Sequence, residues 1–214
     1  MLKPFLALTI GLGLAVGSHV QAQDNWEAGK NYFLIEPPQA TTTGDRIEVV
    51  EVFSYACPHC NEVAPMVADL KKRLPSNAEL VLLPAQFGFE AWKVFAKGFY
   101  TAQALGLVEK THADLFRTIY VDRKIDIRSP TLASLAEFYS KYGVTAADFT
   151  ATSESFAVKA KLKRNEELIK AYGADGTPTF IVNGKYRMSG QPAGGYEKIE
   201  PLVHYLIEKE AKGG

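Results

Sequence analysis

Apolar positions along this chain follow two rhythms. Ile47-Glu48-Val49-Val50-Glu51-Val52-Phe53 is a short, β-branched, nearly continuous apolar run, the pattern of a buried strand. Tyr32 to Ile35 predicts an earlier strand, and Pro37 to Asp45 a polar turn region between the two. Asn61 to Leu74 switches to helical spacing, with Val63, Met66, Val67 and Leu70 on one side. Lys71, Lys72 and Arg73 suit the negative end of that helix, and Pro65 predicts a kink in it. Glu79 to Pro84 is another strand, parallel to 47–53 if the helix crosses over between them.

From about Ala91 to Ala171 the pattern is helix after helix: Trp92 to Leu105, Lys110 to Tyr120, Thr131 to Tyr142 and Ala146 to Tyr172. Ser129-Pro130 predicts a cap followed by proline in the first turn, and Thr145 with Asp148 a weaker capping signal. No catalytic constellation stands out in this block, and Trp92, Phe95, Phe99, Tyr100 and Phe116 read as core rather than binding site. Strand signal returns at Thr177-Pro178-Thr179-Phe180-Ile181-Val182. Asn183-Gly184 then predicts a type I′ turn into Lys185-Tyr186-Arg187-Met188. Tyr196 to Lys209 closes the chain as a helix with Ile199, Leu202, Val203, Leu206 and Ile207 facing inward. The whole is an α/β architecture with an inserted all-helical subdomain.

The N-terminus adds a location. Lys3 gives a positive start, Phe5 to Val16 an apolar stretch, and Val20-Gln21-Ala22 a small-residue cleavage pattern, so residues 1–22 read as a signal peptide. A membrane anchor would need about 20 apolar residues, and Gly17, Ser18 and His19 interrupt first. The exported remainder would meet an oxidising compartment. Lys3 is the leader's one charged residue, so 23 basic residues then face 24 acidic ones, and no basic patch points to nucleic acid.

Chemistry concentrates at Cys57-Pro58-His59-Cys60, which holds the two cysteines of the chain just after the apolar strand. Pro58 suits the first turn of a helix, which makes Cys57 its cap. A thiol there faces unpaired N–H groups and the positive end of the helix dipole, both favouring thiolate. Cys57 is therefore the candidate nucleophile and Cys60, one turn further in, the resolving thiol. His59 can add donors or positive charge near the Cys57 sulfur. Zinc would want four ligands, and no second cysteine pair exists to supply them. A purely structural disulfide closing so small a loop would constrain little of the unfolded chain. Glu51 sits among valines; it is either held protonated, able to relay the proton of Cys60, or hydrogen-bonded locally. Pro178, after Asp175-Gly176, is either an ordinary turn residue or a cis bond.

Glu51 to Cys60, the Gly176-Thr177-Pro178 step, Phe180 to Tyr186 and the upstream Trp26 to Tyr32 together resemble the DsbA family of periplasmic thiol:disulfide interchange proteins, over nearly the whole exported chain. The resemblance implies a thioredoxin fold, with 23–87 and 167–214 as the thioredoxin domain and 88–166 as the helical insertion. It implies that Cys57 and Cys60 are the attacking and resolving cysteines, that His59 stabilises the thiolate, and that Glu51 matches a buried family glutamate. Pro178 matches the family's cis-proline, with the backbone of Thr177 pairing with an extended substrate peptide. No bound cofactor or metal is implied. The expected partners are reduced exported proteins and a DsbB-type membrane oxidase, and the expected state is a monomer. Ala56, Ala64, Pro65 and Thr177 depart from the best-studied pattern, which bears on redox poise and the substrate groove. A reductase or isomerase using the same pair, or a peptide-binding chaperone, are the alternatives.

Overall fold

The computed structural model describes residues 25–213, so the expected leader, residues 1–22, lies outside the described residues. β1 (Phe33–Leu34), β2 (Ile47–Phe53), β3 (Ala78–Pro84), β4 (Thr179–Val182) and β5 (Tyr186–Ser189) form one mixed sheet in the order β1-β5-β4-β2-β3. Every residue of β2 is buried, as its run of valines demands of a central strand. α1 (Pro58–Arg73) carries the chain across to β3, which pairs parallel with β2. Strand alternation places Val49, Glu51 and Phe53 on one face of β2 and Val50 and Val52 on the other. β4 runs antiparallel to β2, with Phe180 opposite Glu51.

The β4–β5 turn has Asn183 and Gly184 at φ 52° and 63°, the backbone a type I′ hairpin requires, and Lys185 N donates to Val182 O at 3.0 Å. Glu210 then ties the hairpin to the last helix through Lys185 Nζ at 2.7 Å and Tyr186 Oη at 2.8 Å.

Between β3 and β4 come α2 (Glu90–Ala104), α3 (Val108–Tyr120), α4 (Leu132–Ser140), α5 (Ala146–Ser153) and α6 (Phe156–Ala171). The single helix expected over 146–172 is thus two. Ser155 breaks it, its hydroxyl accepting from Val158 N at 3.3 Å with the backbone extended at ψ 151°. Short hydroxyl side chains satisfy backbone donors outside a helix as readily as within one, and Thr152-Ser153-Glu154-Ser155 offers three. The cap expected at Ser129 falls two residues later. Thr131 and Ser134 exchange side-chain-to-backbone hydrogen bonds at 3.0 and 3.2 Å, a reciprocal box that Ser129-Pro130 cannot make. α7 (Gly190–Ala193) is a short helix absent from the sequence reading, and a 3₁₀ turn at Tyr196–Lys198 precedes α8 (Ile199–Ala211).

Three apolar clusters result. One lies under α1 and α8, with Val49, Val67, Leu70, Phe180 and Leu206; one on the opposite sheet face, with Val50, Val52, Ile169 and Ile181. The third fills the helical block, where Phe95, Phe99, Leu115, Phe116 and Leu135 surround Phe53, Tyr55, Cys57 and Cys60. The five aromatics read as core, Trp92 through Phe116, all belong to this cluster or pack against it.

Candidate redox site

The site forms where β2 ends and α1 begins. After Phe53 the chain turns through Ser54 to Cys57, closed by Cys57 N donating to Ser54 O at 3.1 Å and Ala56 N donating to Ser54 Oγ at 3.1 Å. Cys57 is the cap of α1, Pro58 occupies the first turn, and the Cys57 sulfur accepts from Cys60 N at 3.4 Å. The structure thus brings Cys57, Pro58 and Cys60 together at a helix N-terminus. Both thiols are free, Cys60 fully buried and Cys57 with a sliver of exposed surface.

The two sulfurs differ sharply. A hydrogen bond from the Cys60 thiol, helped by the Thr177 side chain and by the Cys60 and His59 backbone N–H groups, lowers Cys57 to about 6 against the opposing effect of burial. Burial, then the proximity of the Cys57 sulfur, pushes Cys60 far up. One sulfur is a thiolate at neutral pH while the other keeps its proton.

Glu51 lies beneath, on the α1 side of β2, 2 % exposed. Burial first, and the Cys57 charge second, raise its carboxyl to about 8. Glu48, three residues earlier on the opposite face, is equally buried but receives Thr42 N and Oγ1 at 2.7 and 2.6 Å. No such donor reaches Glu51 among the described residues.

Thr177 and Pro178, joined by a cis peptide bond, stand across from the cysteines, with the Cys57 sulfur 3.4 Å from Thr177 O. The His59 ring is exposed and lies 6.4 Å from the Tyr196 ring; its backbone N–H is what bears on Cys57. Sequence reasoning missed three aromatic neighbours. Cys57 and Cys60 act electrostatically on the Tyr120 and Tyr196 phenols, and Tyr55 sends its hydroxyl 2.8 Å from His112 Nδ1 on α3. Tyr55 lay inside the quoted motif, but nothing local marks residues 112, 120 or 196 as its company.

Beside the pair, α1 and α3 enclose a cleft of about 360 Å³ walled by Ala64, Pro65, Ala68, Val108, His112 and Phe116. Two of the departing positions, Ala64 and Pro65, therefore face an apolar surface. No cluster of three or more metal-ligating side chains converges among the described residues.

Residues 48–198 match the model of the DSBA-like thioredoxin domain family. The chain is 37 % identical over 206 residues to the thiol:disulfide interchange protein DsbA of Pseudomonas aeruginosa, covering 96 % of each, and 38 % identical over 194 residues to that of Pseudomonas syringae, covering 91 % of this chain and 89 % of the relative. A crystal structure of a Pseudomonas aeruginosa DsbA variant superimposes with a TM-score of 0.83 at 35 % identity, over 88 % of this chain and all of that one.

Proposed function

Since this chain belongs to the DsbA family of thioredoxin-fold proteins and is a thiol:disulfide oxidoreductase, we propose that it works as an oxidase, giving the Cys57–Cys60 disulfide to reduced exported proteins in the periplasm. A substrate thiolate attacks Cys57, forming a mixed disulfide and releasing Cys60 as the leaving sulfur, which takes up a proton. A second substrate thiolate attacks its own sulfur in that mixed disulfide. Two electrons then rest on the pair, Cys57 departs as thiolate, and the substrate holds the new disulfide.

The observation that carries this direction is Cys57 at the cap of α1, lowered to about 6 by donors from Cys60. A stabilised thiolate favours the reduced pair and makes the disulfide a stronger oxidant. Pro58 sets the helix start and His59 adds its backbone donor and, when protonated, its charge. Glu51, buried below, holds or passes the proton that Cys60 gains and loses. Thr177 offers backbone to an extended peptide beside Pro178, close to the sulfur under attack. The pair itself carries the electrons, so no external cofactor is needed, and a DsbB-type membrane oxidase would reclose it. The apolar stretch Phe5 to Val16 with Val20-Gln21-Ala22 supports export.

The test is the thiol–disulfide equilibrium of the purified protein against glutathione, read by alkylation of free thiols. Ready reduction by glutathione is expected; a disulfide that resists it would make the protein a reductase.

A further inference from the structure

The cysteines are packed into the core of the helical block, yet among the described residues one side chain of the turn that carries Cys57 makes a polar contact with that block. Ser54 and Ala56 are bonded within the turn, whereas Tyr55 is 1 % exposed and reaches α3, its hydroxyl 2.8 Å from His112 Nδ1. The ring of His112 is itself caged, with centroids 5.1 Å from Phe53, 5.3 Å from Tyr55 and 5.2 Å from Phe116. Its protonation can be assigned from hydrogen-bond accounting. If Nδ1 carried the proton, the Tyr55 hydroxyl hydrogen would be buried with no acceptor, a cost of about 1–3 kcal/mol. The hydroxyl therefore donates to Nδ1, and Nε2 keeps the proton.

We propose that His112 is a positioning residue for the redox pair: by accepting the Tyr55 hydrogen bond it locks the Ser54–Cys57 turn to α3 and so fixes the Cys57 sulfur against the N-terminus of α1. The contact to Cys60 N is 3.4 Å, a length at which small displacements of the sulfur change what the donor is worth to a negative charge. The tie also holds over the range where Cys57 titrates. Burial keeps the imidazole down at about 4, with Glu109 opposing that shift and Lys71 adding to it from the cleft, so it stays a neutral acceptor while Cys57 ionises near 6 among Glu51, Cys60, Tyr120 and Tyr196.

This inference rests on Cys57 being the low-pKa thiol, and the experiment separates the two. The ultraviolet absorbance of the thiolate is followed against pH in the reduced protein and in Tyr55→Phe, His112→Phe, His112→Asn and Cys57→Ser. Tyr55→Phe and His112→Phe are expected to cut the thiolate fraction at pH 6 by about threefold. His112→Asn, whose amide oxygen can accept the same bond, should recover at least half of that. An unchanged midpoint in Tyr55→Phe overturns the proposal whatever happens to thermal stability, and it decides alone if His112→Phe does not fold. Failure of His112→Asn to recover anything would assign the effect to ring packing and overturn the hydrogen-bonding role. A Cys57→Ser protein that still titrates near pH 6 would instead sink the assignment of Cys57 itself.

Discussion

Glu48 and Glu51 occupy the same strand, are equally buried, and meet opposite conditions: among the described residues one is supplied with two donors, the other with none. The difference has a measurable sign. Because the folded carboxyl of Glu51 sits at about 8, above its ordinary 4.5, its contribution to stability is complete below pH 4.5 and is lost as pH rises towards 8. Glu51→Gln should remove that loss, so urea unfolding of the reduced protein should show a flatter slope between pH 5 and 8, with a gain on the order of a few kcal/mol at the upper end. An unchanged slope would mean that Glu51 is not held protonated. His59 is tested by redox equilibrium rather than stability. His59→Ser is expected to leave the pair less oxidising, by roughly tenfold in the glutathione equilibrium, which corresponds to about 30 mV. Since the His59 backbone N–H survives that substitution, no change would assign the whole role to the backbone.

Elements that declare themselves locally were legible in the sequence. β2, α1, the parallel β3 and the Asn183-Gly184 hairpin follow from runs of four to sixteen residues, and so does the placement of the cysteines at a strand-to-helix junction. The break between α5 and α6 was not, because the apolar spacing runs on through it and only the competition of Ser155 for backbone donors decides. Ser155→Ala should accordingly cost about 1 kcal/mol in a denaturant melt. Gly184→Ala should cost more, about 2 kcal/mol or above, since a side chain there would be held at φ 63° and its Cβ driven into the Gln39 carbonyl. Equal costs would mean that the hairpin tolerates a different turn. The Tyr55–His112 bond lay beyond any sequence reading for a plainer reason: 57 residues separate its partners, and only packing brings them together.

At the scale of the molecule, the expected insertion 88–166 ends inside α6, a single helix over Phe156–Ala171 that packs against α2 and α5 at one end and supplies Ile169 to a sheet-face core at the other. α6 therefore contributes to two of the apolar clusters, through Val158 and Ile169. The three cores should respond differently to being hollowed. Leu206→Ala, in the cluster under α8, and Phe116→Ala, in the block around the cysteines, should each cost roughly 2–5 kcal/mol. Only Phe116→Ala, whose ring lies 4.9 Å from that of Tyr55, should also slow alkylation of Cys57 at pH 6; equal effects on the thiol would deny the block that part.

The apolar cluster to which both cysteines belong is drawn largely from residues 95–158, while the sulfurs themselves come from the sheet-and-helix junction. Cys-Pro-His-Cys is therefore not a portable cassette. Grafted alone onto a thioredoxin scaffold lacking the helical block, the tetrapeptide would bring its helix cap but leave behind Phe95, Phe99 and Phe116, and with them the packing that seats Tyr55 and the turn leading into Cys57.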